Sequence, residues 1–411
     1  MHSMEPLQIS IAIPLNRSGC DSTRCINSAI DQNAAITKVV ILDNNMSIAR
    51  DIPNKENCVY IKNKANLGAH KNFIACWHAT PSRYFTWLGD DDFISPGFSN
   101  EIVAAIKASP PNTTCWSGIP SQYNSQSGIR RSGIFFPDIS SSLPIERMRQ
   151  CVQFGKWNYP FYSVIDRDRV SIEPLANLGD WPASLDGLDW AWSYYLAISG
   201  RINIIPRQLY FYNTQNWADK DVGNDFIALY RDKFLAPDED LDITTIGSFV
   251  GINRMLITML LIIDGLSDLE KRNTFFESNS KCSVGDILIA ALEFILGRFL
   301  SACMGNSYLN KNSSDMKYIR VAIDSKSLSI SEFMLRVGRV YSSYLRPEFC
   351  VNIFIKEALD KISSNSIKEA LTKPGVLRRW SVYFSKHSHF VAVNRTQLST
   401  LITQPSRFSF Y

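Results

Sequence analysis

The 411-residue sequence predicts an α/β fold: a mixed, mainly parallel sheet sandwiched by helices, followed by a mostly helical C-terminal domain. Two observations carry this expectation. Over roughly the first 110 residues, short apolar runs alternate with segments of helical periodicity, which makes a largely parallel sheet with helices on its faces. Beyond Trp217 clear strand signals disappear and long helical periodicities dominate. The chain exceeds one average domain in length, and the division falls at residues 7–215 for the α/β part and 216–411 for the helical part.

The elements follow in order. "ISIAIP" (Ile9 to Pro14) alternates apolar and small residues and reads as the first strand. "STRCINSAIDQ" (Ser22 to Gln32) places Cys25, Ile26, Ala29 and Ile30 on one helical face. "KVVIL" (Lys38 to Leu42) and "CVYI" (Cys58 to Ile61) are short apolar strands, a helix pattern follows from Ala69 to His78, and "YFTWL" (Tyr84 to Leu88) is a fourth strand. Ser95-Pro96 reads as an N-cap with proline at the first helical position, opening a helix to Lys107. The Ser/Gly/Asn-rich stretch from Asn112 to Ile134 is expected as a loop or irregular hairpin. "FYSVID" (Phe161 to Asp166) is a strand, Leu188 to Ser199 a helix, and "RINIIPRQLYFYN" (Arg201 to Asn213) closing strand material.

The composition, 45% hydrophobic and 20% charged, is that of a globular chain with a real core. Nine cysteines form an odd count with no CxxC pair, which argues against a disulfide framework or zinc ribbon and for a reducing compartment. "MHSMEPLQIS" has no basic region followed by an apolar one, so no signal peptide is expected. Two apolar runs stand out. Met255 to Ile263 is bounded by Arg254 and Asp264, and Ile287 to Leu300 carries Glu293 and Arg298. A spanning helix needs roughly 18 apolar residues with few charges, so both are expected as buried or amphipathic helices. The net charge of +4 is uneven: from Lys317 onward fifteen Lys/Arg face six Asp/Glu. The aromatic, basic stretch "RRWSVYFSKHSHF" (Arg378 to Phe390) suits an anionic membrane surface or phosphorylated ligand, or simply a solvated surface.

In open α/β sheets, ligands bind beyond the carboxyl ends of the strands. The first predicted strand is followed by Leu15, Asn16 and Arg17, and the second by Asp43, Asn44 and Asn45. "NKANLG", with Asn66 and Gly68, follows the third, and Gly89 with Asp90, Asp91 and Asp92 the fourth. Four polar or acidic ends can build one site. Adjacent carboxylates repel by about 1 to 4 kcal/mol per pair, depending on the effective dielectric. A solvated acidic loop would tolerate that, and Mg²⁺ or Mn²⁺ sharing its oxygen shell with substrate phosphates would offset it. Gly68 opens a helix whose amides suit a phosphate, or is a plain turn glycine. The absence of GxGxxG after the first strand disfavours a dinucleotide-binding enzyme, and no GxxxxGK[ST] is present. The five histidines form no ligand set; His70 alone sits where it could touch a phosphate, and His387-x-His389 reads as surface.

"ISIAIPLNR", "VVILDNN", "NKANLGAHKNF" and "YFTWLGDDDFISPGF" occur in the order and spacing of family-two glycosyltransferases, which the chain resembles over residues 7 to 215. The resemblance implies the GT-A fold. The "WLGDDD" form looks most like transferases of bacterial surface polysaccharides. It further implies that Pro14, Leu15, Asn16 and Arg17 line the nucleotide pocket and that Asp43 hydrogen-bonds the base. Asn66, Gly68 and Asn72 would shape the nucleotide-sugar pocket, and Asp90 and Asp91 would face ribose and sugar. Asp92, with Asp90, would hold Mg²⁺ or Mn²⁺ on the diphosphate. The family's acidic general base, usually Glu-Asp at a helix start, maps onto "SLDGLDWAWSYYL", where Leu188 replaces the Glu. Asp189 is the candidate, with Asp186 and Asp180 as alternatives, and an acid in a first helical turn is also what the helix dipole favours. Two more departures stand out. "DNNMS" keeps only the first acid of the second strand's usual motif, and "VLRRW" (Val376 to Trp380) lacks the Gln of processive synthases.

The expectation is therefore an inverting, metal-dependent enzyme that moves one sugar from a nucleotide sugar to a hydroxyl of a glycan or lipid-linked acceptor. It would be cytoplasmic, with peripheral contact to the membrane surface as one use of the basic tail, and nucleic acid is not an expected partner. A sugar-phosphate nucleotidyltransferase would need a Gly-rich, Arg/Lys-containing loop after the first strand, for which "PLNRSGCDS" is poor. An inactive nucleotide-sugar-binding partner protein is the rival from another class, and the intact acidic triplet argues against it.

Overall fold

The structure, a computed structural model, describes residues 7–45, 52, 55–124, 130–132, 139–153, 159–179, 181, 188–213, 228, 230–236, 243–271, 283–289, 291 and 328–374. Asp180, Asp186, His387, His389, Val376 to Trp380, Arg378 to Phe390 and most of Ile287 to Leu300 lie outside the described residues. The chain divides into two compact units. The first takes its described residues from Met1–Gly179 and Leu196–Asn216, the second from Asp180–Tyr195 and Trp217–Ser409.

The first unit is built on one mixed sheet. Its strands are β1 (Ile9–Leu15), β2 (Thr37–Asp43), β3 (Cys58–Lys62), β4 (Tyr84–Trp87), β5 (Phe93–Ile94), β6 (Thr113–Tyr123), β7 (Arg130–Ser132), β8 (Val164–Asp166) and β9 (Arg201–Asn213). The sheet order is β3-β2-β1-β4-β8-β6-β9-β5, with β7 paired to β6. β1 pairs in parallel with β2 and β4, and β2 with β3. β8 then runs antiparallel to both β4 and β6, and β6 returns to parallel pairing with β9. β1 is buried along its whole length, as a central parallel strand covered on both faces must be.

The two faces are covered by different helices, as the two-residue period of a strand requires. Ile9, Ile11, Ile13 and Leu15 of β1 pack with Cys25, Ile26, Ala29 and Ile30 of α1 (Cys20–Ile30) and with Phe98 and Ile102 of α3 (Phe98–Ala108). Phe85 and Trp87 of β4 meet Trp77 of α2 (Gly68–Ala79), the Trp77 and Phe85 ring centroids being 4.8 Å apart. Phe161 stacks on Trp87, also at 4.8 Å.

Asn112 to Ile134 follows the hairpin alternative: the eleven-residue β6 pairs antiparallel with the short β7, with register irregularities along β6. Its Gly118 marks close packing, since a Cβ there would lie 2.5 Å from Leu209 Cβ on β9. Two other local expectations need correction. Ser95 caps no helix. Phe98 N–H donates to the Ser95 carbonyl (3.2 Å) with Pro96 second and Gly97 at φ 80°, a type II turn, and the helix starts at Phe98. This turn follows β5, a two-residue strand paired to β9 that the sequence reading missed. Phe161 to Asp166 is half strand: Tyr159–Tyr162 forms a 3₁₀ turn and only Val164–Asp166 joins the sheet.

α4 (Pro144–Gln153) carries a buried guanidinium. Arg147 donates from Nε to the Ala197 carbonyl (2.6 Å), from one terminal nitrogen to Ile198 (2.8 Å), and from the other to Ser141 (2.8 Å) and Ser142 (3.1 Å). Ala197 and Ile198 end the helix Leu188–Ser199, so a cation sits on carbonyls left unpaired by the helix and at its negative end. Arg147→Met is expected to lower stability by about 2 to 4 kcal/mol, because several buried carbonyls lose a charged donor at once. A fall in the urea midpoint at unchanged slope would check this.

The second unit is helical among its described residues. Numbering onward from α5 (Glu173–Ala176) and α6 (Leu188–Ser199), it contains α7 (Ile243–Lys271), α8 (Ile330–Ser342), α9 (Val351–Asp360) and α10 (Asn365–Thr372). Ser329 caps α8, accepting from Glu332 N–H, and Ser364 caps α10, accepting from Ile367 N–H. The apolar run from Met255 to Ile263 is part of a much longer helix that continues through the half-buried Arg254 and Asp264. The stretch Phe249–Lys271 is long and apolar enough to cross a membrane, yet 78% of its apolar window is buried by the rest of the fold, as for a core helix. The described residues of Asp180–Tyr195 belong to this unit: Trp181 Nε1 donates to Asn253 Oδ1 (2.6 Å), and a Cβ at Gly265 would lie 2.4 Å from the Tyr195 ring.

Candidate functional site

The carboxyl ends of the central strands are joined by the acidic triplet. Asp90 lies beyond β4, and its Oδ2 accepts the consecutive backbone N–H groups of Asn16 (2.9 Å) and Arg17 (2.7 Å) beyond β1. The Arg17 guanidinium pairs with Asp91 and lies 3.8 Å from Asp90 Oδ1. The turn after β1 and the turn after β4 are thus one structure, as the strand order alone suggests.

Asp92 faces the other way and is tied to the end of β9. Its Oδ2 accepts from the Tyr210 hydroxyl (2.8 Å) and its Oδ1 from Asn213 N–H (2.9 Å). The same hydroxyl accepts from Gly89 N–H (3.0 Å), so Tyr210 clamps both ends of the Gly89–Asp92 turn. A Cβ at Gly89 would lie 2.6 Å from Asp92 Oδ2, so a larger residue there would have to displace that carboxylate. Asn213 is held in turn by Asp21 on α1, whose Oδ2 accepts from the Asn213 side chain (3.0 Å) while Oδ1 accepts from Arg24 (2.5 Å).

Burial dominates the electrostatics. Burial and then the neighbouring Asp91 charge push the Asp92 carboxyl well above the usual carboxylate range, against the pull of Asn213 N–H and Tyr210. Burial also raises Asp91, with the Arg17 charge opposing it, and burial followed by the Asp92 charge raises the Tyr210 hydroxyl. A carboxyl whose folded pKa is raised binds its proton more tightly folded than unfolded. Its contribution to stability is present below the ordinary carboxylate pKa of about 4 and declines as pH rises towards the folded value. In the absence of ligand, wild type should therefore lose stability relative to Asp92→Asn as pH rises from about 4 to 8. Urea midpoints of both proteins across that range measure the slope, and a gap independent of pH would contradict it.

A second polar cluster occupies the ends of β2 and β3. Asn44 donates to Asn66 Oδ1 (2.7 Å) and accepts from Leu67 N–H (2.8 Å). Asn63 donates to Asn72 Oδ1 (2.9 Å), and Asn72 to the Leu42 carbonyl (3.3 Å). Gly68 N–H donates to Asn66 Oδ1 (2.9 Å), and Gly68 takes φ 75°, which glycine adopts without strain. The Asn45 side chain donates to the Asn16 carbonyl (2.9 Å), linking this cluster to the acidic one.

Of the residues named from sequence, Pro14, Leu15, Asn16, Arg17, Asp90, Asp91 and Asp92 converge around the β1 and β4 ends, and Asn66, Gly68 and Asn72 around the β2 end. Asp43 is fully buried, with Oδ2 accepting from Tyr60 (2.7 Å) and Oδ1 from Asn45 N–H (3.0 Å). His70 is buried on α2 with Nε2 3.1 Å from the Leu175 carbonyl, a core position rather than a phosphate contact. Asp189 opens α6 in the second unit, half-buried, with Oδ1 accepting from Trp190 N–H (2.9 Å). Sequence reading missed Tyr210 and Asn213. Their only signal was the polar tail of "QLYFYN", and strand order, not spacing, brings it to Asp92.

Among the described residues no three His, Cys, Asp or Glu side chains form a ready-made metal cage. The acidic loop still fits a divalent cation that shares its shell with a diphosphate. Asp90 and Asp91 face Arg17, and each Asp92 oxygen accepts one hydrogen bond and keeps a second lone pair. Carboxylate ligands are commonly oriented by such hydrogen bonds.

Residues 10–166 match the model of glycosyl transferase family 2. No curated protein matches the chain. It is similar to the crystal structure of S. aureus TarS 1-349 at 14% identity and a TM-score of 0.45, over 86% of this chain and 92% of that one. The same protein in complex with UDP-GlcNAc gives 14% identity and a TM-score of 0.44 over the same shares, and in complex with UDP 13% and 0.42.

Proposed function

We propose that this glycosyltransferase is inverting and metal-dependent, and that it moves one sugar from a nucleotide-sugar donor to a hydroxyl of a glycan or lipid-linked acceptor. Surface polysaccharide synthesis on the cytoplasmic side, with the basic C-terminal stretch meeting the membrane surface, is the setting the motif form favours. The observation that carries the reading is the joining of the β1 and β4 ends by Asp90, Asp91 and Arg17 within the family-matched segment.

Asn16 and Arg17 border the nucleotide, and Asp43 hydrogen-bonds the base. Asn66, Gly68 and Asn72 shape the sugar end, and Asp90 and Asp91 hold the ribose side and Arg17. Asp92 and Asp90 would hold Mg²⁺ or Mn²⁺, which when bound supplies Lewis-acid stabilisation of the diphosphate leaving group. Asp189 takes the proton of the acceptor hydroxyl as that oxygen attacks the anomeric carbon and the nucleotide diphosphate leaves.

A panel of nucleotide sugars, each with and without Mn²⁺, tests this by thermal stabilisation, since a ligand of the folded state raises the melting temperature by mass action. One donor should stabilise the protein in a Mn²⁺-dependent manner. No shift with any donor would overturn the reading.

A further inference from the structure

The acidic triplet does not stand open: Arg17, from the turn after β1, lies against it. Its guanidinium pairs with Asp91 and sits 3.8 Å from Asp90, while its own backbone N–H is bonded to Asp90 Oδ2 (2.7 Å). The backbone of residue 17 is therefore fixed to the acidic loop, whereas its long side chain is about half exposed and ends against Asp91 and near Asp90. A guanidinium on one carboxylate and near the next occupies the same electrostatic niche as a divalent ion.

We infer that Arg17 is an internal stand-in cation, which holds Asp90 and Asp91 until a metal and a diphosphate arrive together and which then pairs with the diphosphate. This rests on the proposed nucleotide-sugar site. Charge decides the order of events. With Arg17 in place, the two carboxylates it faces, Asp90 and Asp91, and one guanidinium leave a formal charge of −1. A divalent ion entering alone must displace Arg17 or lie beside it, and two cations within a few ångströms repel by an amount comparable to a salt bridge. A diphosphate removes that conflict, because its oxygens accept the guanidinium in a bidentate pair while also sharing the metal. Metal and diphosphate are thus made to favour each other's binding. By reciprocity each strengthens the other by the same factor. The turn need not move, since the Arg17 backbone stays on Asp90.

The test is equilibrium binding of Mn²⁺, by calorimetry and by the EPR signal of free Mn²⁺, to wild type and Arg17→Gln. Each is titrated alone and with saturating inorganic diphosphate. The side chain is exposed, so the variant keeps the fold, which its melting temperature verifies. Arg17→Gln should bind Mn²⁺ alone about tenfold more tightly than wild type, because a competing charge is gone. Diphosphate should enhance Mn²⁺ affinity at least tenfold less in the variant than in wild type. Unchanged or weaker Mn²⁺ affinity in Arg17→Gln, with diphosphate enhancement equal in both proteins, overturns the inference and leaves the site reading intact. No Mn²⁺ binding to either protein even with diphosphate overturns both.

Discussion

Asp92→Ala is expected to lower metal-dependent transfer by about three orders of magnitude, the effect of removing one fixed electrostatic element from a buried site. Asp92 is 5% exposed and both its oxygens are oriented, by Tyr210 at the end of one strand and Asn213 at its tip. The substitution would leave the Tyr210 hydroxyl and the Asn213 N–H without their acceptor, at about 1 to 3 kcal/mol for each buried group. It would also remove a carboxylate that burial and Asp91 disfavour, so the net change in stability should be smaller than that sum. The two consequences are separable. Single-turnover transfer measured well below the variant's melting temperature reports the site, and the Mn²⁺-dependent thermal shift with donor reports cation binding. Turnover at the wild-type rate in Asp92→Ala would remove Asp92 from the metal assignment.

That residue also illustrates what the sequence could tell. Three consecutive aspartates after an apolar strand are visible as a tension, and the strand-end rule places them near Asn16 and Arg17 before any coordinates exist. The parallel core was legible for the same reason: β1, β2 and β4 are short, mostly apolar runs that end at polar or acidic residues. The second half of the sheet was less legible. β6 carries Ser117, Gly118 and Ser121 because its neighbours β8 and β9 satisfy its backbone and Leu209 fills the space over Gly118. Composition there reports close packing and reads as loop. Tyr210 and Asn213 were illegible for a different reason. They lie more than 110 residues from Asp92, and only the insertion of β9 between β6 and β5 brings them to it. The asparagines at 44, 63, 66 and 72 fall between these cases. Each is a commonplace turn residue in sequence, and their mutual hydrogen bonding appears only once the β2 and β3 ends are side by side.

Asp189→Asn should reduce transfer by about 10²- to 10⁴-fold, the usual contribution of a general base, while donor affinity stays within about twofold of wild type. The replacement is nearly isosteric. The amide oxygen can still accept from Trp190 N–H, the bond that now fixes Asp189 Oδ1, and the Ser193 hydroxyl remains bonded to the residue 189 carbonyl (2.7 Å). The first turn of α6 should therefore persist, with a melting temperature close to wild type, so lost activity reads as lost proton acceptance. An asparagine cannot take the hydroxyl proton as the acceptor oxygen attacks, and an unactivated hydroxyl is a poor nucleophile. The pH profile supplies a second, independent signature. Wild-type kcat/KM should fall on the acid side as the base protonates, and that limb should disappear from the residual activity of Asp189→Asn. Asp186→Asn and Asp180→Asn, made in parallel, should retain the acid limb and most of the rate. Full activity in Asp189→Asn together with loss of the limb in one of the other two would move the base along the segment, and the displacement of the nucleotide by an acceptor hydroxyl would stand with a different carboxylate.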